Sequence, residues 1–273
     1  MKELRTRAIS GILYVALLII ALKWQLALIG LFYAFGIICM VEFNKLIGLK
    51  HVAPYIVFTV LYSFFGFWSV LYDNKDGFVE TIQILHVITI FVLLLLIKDL
   101  FSEKTIPLFH TKRFILTTFY LSSGFIFLVL IGNFDHEFTP IYVLGSFILI
   151  WINDTFAYLI GKNFGKQKLF PSVSPKKTVE GFLGGLFFAC VASYFIFNFS
   201  GSLSFNAWLF LAIIISVFGT LGDLIESKFK RQAQVKDSGA MMPGHGGLLD
   251  RLDSIIFASP IIYLFLIVVD YVS

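Results

Sequence analysis

Stretches of roughly 20 apolar residues, the length a helix needs to cross the hydrocarbon core of a bilayer, recur from one end of this chain to the other. They restrict the fold more than any other feature. In hydrocarbon every backbone N–H and C=O must be paired internally, which leaves only helices and closed barrels. The runs are continuous, as in FVLLLLI at 91 to 97 and FLAIIISVF at 210 to 218, and lack the alternation of barrel strands. The expected fold is all-α, a polytopic membrane protein of about nine transmembrane helices. The spans are 8 to 22, 26 to 46, 52 to 72, 80 to 97, 115 to 132, 141 to 161, 180 to 199, 207 to 222 and 248 to 269. Only 14% of residues are charged, against roughly a quarter in soluble domains.

Nine crossings put the two ends on opposite sides. With the N-terminus inside, all but Lys23 and Lys75 of the 21 Lys and Arg residues fall in inside segments, as expected if positive loops are retained in the cytoplasm. One missed or invented helix would invert every loop downstream of it. The opening MKELRTR and the short first run resemble a signal peptide, but no small-residue cleavage site follows ALKWQ, so the segment is read as retained. Cys39 and Cys190 fall within spans and read as small buried hydrophobes. The net charge of +4 suits anionic headgroups or a polyanionic substrate; nucleic acid is not expected as a partner. The chain reads as one membrane domain, with 1–140 as N-terminal scaffold helices and 141–273 as helices with cytoplasmic catalytic loops.

The first half carries no motif. Glu42, three residues before Lys45, is accounted for by a local ion pair or by snorkelling. His86 reads as a structural hydrogen-bond partner. From Asn153 the character changes. In WINDTFAYLIGKNFGK, Tyr158 follows Asp154 by one turn on the same face, and the pair could hold a cation or a ribose hydroxyl; a snorkelling aspartate is the plainer alternative. In SVSPKKTVEGFLGG, Thr178 is placed to cap a helix beginning at about Val179, with Lys176 and Lys177 beside its positive end. Free amides and two ammonium groups suit phosphate, although a basic loop on the inside would look the same. Gly181, Gly184 and Gly185 permit close helix packing.

Charge is densest from Asp223 to Asp253, and charge beside a bilayer is costly enough to mark function. Asp223, Glu226, Ser227, Lys230 and Arg231 share one face if helical, as they would on a merely solvated helix. Lys236 and Asp237 lead to Pro243, Gly244, His245, Gly246 and Gly247, a turn that lets backbone approach a ligand. Asp250 and Asp253 then start the last helix, with Arg251 between them. Carboxylates with few His and no Cys select hard cations such as Mg²⁺. Together with phosphate-neutralising cations and glycines, they describe phosphoryl or nucleotidyl transfer. A CTP-dependent polyprenol or phytol kinase and a cation-coupled transporter are the rival classes.

Ser227, Phe229, Lys230, Arg231, Lys236, Asp237, Gly239, Pro243, His245, Gly246, Gly247, Asp250, Arg251 and Asp253, with GDLIES, SPKKTVEG and NDTFAYLIG upstream, resemble in identity and spacing the signature of the phosphatidate cytidylyltransferase (CDP-diacylglycerol synthase) family. Met242 departs from it, since Leu, Ile or Phe is usual there. The resemblance implies that CTP and phosphatidic acid give CDP-diacylglycerol and pyrophosphate with Mg²⁺, alongside a second cation such as K⁺. It implies Asp223 and Asp250 as metal carboxylates, to which Asp253 is added as a supporting ligand. Lys176, Lys177 and Thr178 are expected at the CTP phosphates and Asp154 at the nucleotide. Lys230, Arg231 and Lys236, with Asp237, His245 and Arg251, are expected to serve the reacting phosphates. A homodimer in a bacterial inner (plasma) membrane, with N-terminus and active site cytoplasmic and C-terminus outside, is also expected.

Overall fold

The computed structural model describes residues 2–71, 78–134, 138–244 and 246–272. Its helices are α1 (Lys2–Ala21), α2 (Gln25–Ile47), α3 (Ala53–Leu71), α4 (Phe78–Phe101), α5 (His110–Leu116), α6 (Ser123–Ile131), α7 (Ile141–Phe164), α8 (Val179–Ser200), α9 (Phe205–Gln232) and α10 (Leu249–Val272). A π-helical turn at Thr117–Ser122 joins α5 to α6 into one rod. Each expected span falls on a helix to within a residue at its ends, with Tyr72 outside the described residues. Among the described residues seven helices, counting His110–Ile131 as one, are long and apolar enough to cross a membrane, and the apolar parts of α1 and α3, Ile9–Ala21 and Ala53–Phe67, are shorter.

One feature differs from the expected outline. In the basic loop before α8, β1 (Lys168–Phe170) and β2 (Ser174–Thr178) form an antiparallel hairpin pairing Lys168 with Thr178 and Phe170 with Ser174. The Glu180 carboxylate holds its base by accepting from the N–H groups of Lys166 at 3.0 Å and Gln167 at 3.1 Å. Past the span ending at 222, α9 carries its helix through the charged residues to Gln232, so the face read at helical spacing is helical.

Large aromatics such as Trp208, Phe43 and Phe229 fill the interior, and small residues are placed where helix backbones must approach closely. Phe187 and Phe195 of α8 and Phe91 of α4 are exposed, while glycines sit at the seams. A Cβ on Gly181 would come within 2.7 Å of the Ala157 carbonyl, and one on Gly185 within 2.6 Å of the Asn153 carbonyl. The C-terminal part of α7 therefore lies directly against the start of α8. Gly222 makes the same kind of seam between α9 and α10, where a Cβ would meet the Asp253 carbonyl at 2.8 Å. Pro260 interrupts the α10 ladder. Ser259 Oγ lies 3.2 Å from the Ile256 carbonyl that Pro260 cannot serve, and His86 Nε2–H donates to the Pro260 carbonyl at 2.8 Å. His86 thus has the structural role expected of it.

Candidate active site

The glycine seams decide which charges meet. Because α9 touches α10 at Gly222, Asp223 is brought beside Asp253. Because α7 touches α8 at Gly181, the hairpin preceding α8 is held over the end of α9. Along α9, Ser227 Oγ donates to Asp223 Oδ1 at 3.2 Å. One turn on, Lys230 lies between two carboxylates, paired with Glu226 and with Asp250 Oδ1, the latter at 2.6 Å. The other Asp250 oxygen, Oδ2, accepts from Ser238 N–H and Oγ–H, both at 2.9 Å, and from Gly247 N–H at 2.7 Å. Asp253 accepts the Ser254 N–H at 2.7 Å.

Lys177 reaches in from β2, its ammonium 2.5 Å from Asp223 Oδ2. Burial works against that charge, but the carboxylates of Asp223, Asp154 and Asp253 outweigh it and hold the Lys177 pKa above its ordinary value. Lys176, its neighbour on the strand, is exposed, as expected where successive side chains point to opposite sides. Thr178 is the helix cap read from the sequence: its Oγ1 accepts the Gly181 N–H at 3.1 Å.

Exposure is graded through the cluster. Side chains are 31% exposed at Asp223 and 30% at Lys177, but 11% at Lys230, 8% at Asp250 and 1% at Glu226. The site therefore has an open mouth and a closed floor. Asp154 is exposed at the mouth, accepts from Asn153 Nδ2 at 3.2 Å, and has Lys177, Asp223 and Arg251 as charged neighbours. Tyr158 is 65% exposed with Lys162 Nζ 5.9 Å from its ring centroid, so it extends the surface more than the cluster.

The remaining expected residues divide. Arg231 is exposed and donates to the carbonyls of Val173 at 3.3 Å and Val235 at 3.4 Å. Lys236, Asp237 and Arg251 are exposed, the first two on the loop after α9 and the third on the first turn of α10. His245 lies outside the described residues.

Asp223, Asp250 and Asp253 do not close into a ready-made three-carboxylate cage; among the described residues no three Asp, Glu, His or Cys side chains do. The reason is that both oxygens of Asp250 face Lys230 or loop donors, and those of Asp223 face Ser227 and Lys177. The donor chemistry nonetheless suits a hard cation. Asp154, Asp223, Glu226, Asp250 and Asp253 outnumber Lys177, Lys230 and Arg251, and Mg²⁺ commonly takes one or two carboxylates and completes its shell with water and phosphate oxygens.

Glu42 corrects the sequence reading. It neither pairs locally nor snorkels, but lies 7% exposed against the start of α10, which carries Asp250. It accepts from Leu249 N–H at 2.8 Å and Leu248 N–H at 3.2 Å, with Ser238 Oγ 3.3 Å away. Lys228 was also missed. It turns away from the cluster and donates to the carbonyls of Asp99 at 2.6 Å, Ser102 at 2.7 Å and Leu100 at 3.3 Å. The partners of both are mainly backbone groups, which leave no mark in a sequence.

A family model described as the cytidylyltransferase family matches residues 3–269. Similar proteins named phosphatidate cytidylyltransferase include one from Bacillus subtilis (strain 168), 34% identical over 271 residues that cover 97% of this chain and 98% of the relative. Another, from Staphylococcus aureus (strain COL), is 49% identical over 128 residues, 46% of this chain and 49% of the relative. One from Staphylococcus haemolyticus (strain JCSC1435) is 48% identical over the same length.

Proposed function

The chain belongs to the cytidylyltransferase family, and we propose that it is an integral membrane phosphatidate cytidylyltransferase, converting CTP and phosphatidic acid to CDP-diacylglycerol and pyrophosphate. The observation that carries this reading is the carboxylate and lysine cluster, open at Asp223 and Lys177 and set where α7, α9 and α10 leave their apolar segments. A lipid phosphate and a soluble nucleotide can meet there.

A phosphate oxygen of phosphatidic acid attacks the α-phosphorus of CTP, the bond from that phosphorus to the bridging oxygen of the β-phosphate breaks, and pyrophosphate leaves with the electron pair. The nucleophile is already anionic and needs no base. Positioning and charge compensation are what this chain has to supply. Lys177, with Lys176 outside it and Thr178 behind it, offers positive charge to the CTP phosphates, and Asp154 at the mouth contacts the nucleotide. Asp223, Asp250 and Asp253 are the residues that would hold Mg²⁺, which when bound polarises phosphoryl oxygens. The surplus of carboxylates leaves a place for a second cation such as K⁺. Lys230 sets the orientation of Asp250, while Arg231, Lys236, Asp237 and Arg251, and by the family resemblance His245, serve the lipid phosphate and the leaving group.

The distribution of Lys and Arg supports a cytoplasmic N-terminus and site, with the C-terminus outside. A bacterial inner (plasma) membrane and a homodimer complete the proposal. Purified protein given CTP, phosphatidic acid and Mg²⁺ should release CDP-diacylglycerol and pyrophosphate. A folded protein forming neither would overturn the reading, and a phosphorylated lipid lacking cytidine would convert it to a lipid kinase.

A further inference from the structure

The buried carboxylate of Glu42 is contributed by α2, in the half of the chain otherwise read as scaffold. Its contacts are all to the segment that presents Asp250. The N–H groups of Leu248, just before α10, and of Leu249, its first residue, have no partner within that helix, because helix starts leave such donors unpaired. Glu42 takes both, at 3.2 and 2.8 Å, and places negative charge at the positive end of the helix dipole. Ser238 Oγ stands between Glu42 Oε2 at 3.3 Å and Asp250 Oδ2 at 2.9 Å. Its single proton serves one carboxylate at a time, and Asp250 is the nearer.

Two independent features show that the loop is built around this carboxylate. Gly239 and Gly247 both lie against it, and a Cβ on either would collide with the Glu42 side chain. Gly247, which belongs to the turn read from the sequence as approaching a ligand, and Gly239 make room here for a side chain about 200 residues away in the chain. The other feature is that α2 is locked at the adjacent position. Phe43 packs edge-on against Phe229 of α9, ring centroids 5.3 Å apart, and against Tyr120 at 5.5 Å. Glu42 is thereby fixed relative to α9, which carries Asp223 and Lys230.

We propose that Glu42 is a positioning residue for the transfer reaction: it anchors the start of α10 and, with Ser238, sets the Asp250 carboxylate opposite Asp223. This rests on the reading that Asp250 acts on the substrate phosphates or their cation, and the test separates the two ideas. Glu42→Gln and Ser238→Ala would be compared with the unaltered full-length protein by backbone hydrogen exchange over residues 238–252 and by kcat and KM for CTP and phosphatidic acid. Glu42→Gln keeps the size but turns an amide NH₂ toward loop donors. Exchange should quicken at Leu248 and Leu249, and kcat should fall about 10- to 100-fold while KM for CTP stays within about threefold. Ser238→Ala should give a smaller fall in kcat, with exchange at Leu248 and Leu249 unchanged. Unaltered exchange in Glu42→Gln removes the anchor, and quickened exchange with unaltered kcat removes the catalytic consequence. If Glu42→Gln does not fold, full kcat in Ser238→Ala overturns the proposal. If even the unaltered protein forms no CDP-diacylglycerol, the functional reading fails while hydrogen exchange still decides whether Glu42 holds the loop.

Discussion

Lys228 and Lys230 stand two residues apart on α9, both buried, and serve opposite purposes. Lys228 gives its protons to three main-chain carbonyls just after and within the last turn of α4. Those acceptors are neutral helix-end carbonyls, the one of Asp99 also accepting the Ser102 N–H at 3.3 Å, and the ammonium closes a structural seam that Gln232 extends through paired bonds to the Ile106 main chain. Lys230 faces Glu226 and Asp250, with Asp223 and Asp253 nearby. On that face the carboxylates exceed the cations. The same residue type on one helix is thus saturated by main-chain carbonyls on one side and set among carboxylates on the other. What surrounds a charge, more than its presence, separates architecture from chemistry here.

The contrast can be broken most sharply at Asp250. Asp250→Asn keeps the volume but turns an NH₂ toward Lys230 or toward the Ser238 and Gly247 donors, and CDP-diacylglycerol formation should fall by about 10³-fold. Near-normal turnover of purified protein would remove Asp250 from the reaction. Lys177→Ala, at the mouth, should lower kcat/KM for CTP by about 10- to 100-fold; an equal effect at fixed CTP on phosphatidic acid alone would point to the lipid phosphate instead. On the structural face, Lys228→Met should lower stability by about 1–3 kcal/mol, since buried acceptors lose a charged donor, and leave kcat of the folded fraction within about twofold. Thermal unfolding in detergent and active-site-normalised kinetics would check both halves of that statement.

The smallest effect concerns pH. A lysine whose folded pKa is raised contributes stability that is fully present below its unfolded value of about 10.4 and is lost only as pH climbs through the higher folded value. The Lys177 to Asp223 pair should therefore add no stability change between pH 6 and 9. A difference between the wild-type and Lys177→Met unfolding profiles that varies across that window would show that the lysine titrates earlier than its carboxylate neighbours allow.

Much of the frame was legible in sequence, because bilayer-length apolar runs, glycines at helix seams and a Thr178 cap are local signals. The charged face of α9 was legible for the same reason, since Asp223, Glu226, Ser227 and Lys230 recur at helical spacing. Glu42 was not. Its i+3 neighbour Lys45 offers a complete local explanation, and its true partners are mainly amides of residues about 200 positions away. The hairpin of β1 and β2 was hidden too, because Pro175, Lys176 and Lys177 signal a basic turn and its closure depends on Glu180 reaching back to Lys166 and Gln167. Lys230 looked like a group free to meet substrate until Asp250 and Glu226 were placed on either side of it.

The unbroken course of α9 has a consequence for the lipid environment. At ~1.5 Å per residue, the part from Phe205 to Gly222 is ~27 Å tall, close to the ~30 Å of a bilayer's hydrocarbon, and Asp223 begins immediately above it without an intervening hinge. If that segment spans the hydrocarbon, the helix is a fixed gauge that would hold the carboxylates at headgroup height. A thicker bilayer would draw them below the phosphates they must meet, and a thinner one would lift them clear, so turnover should peak in membranes whose thickness matches that one segment.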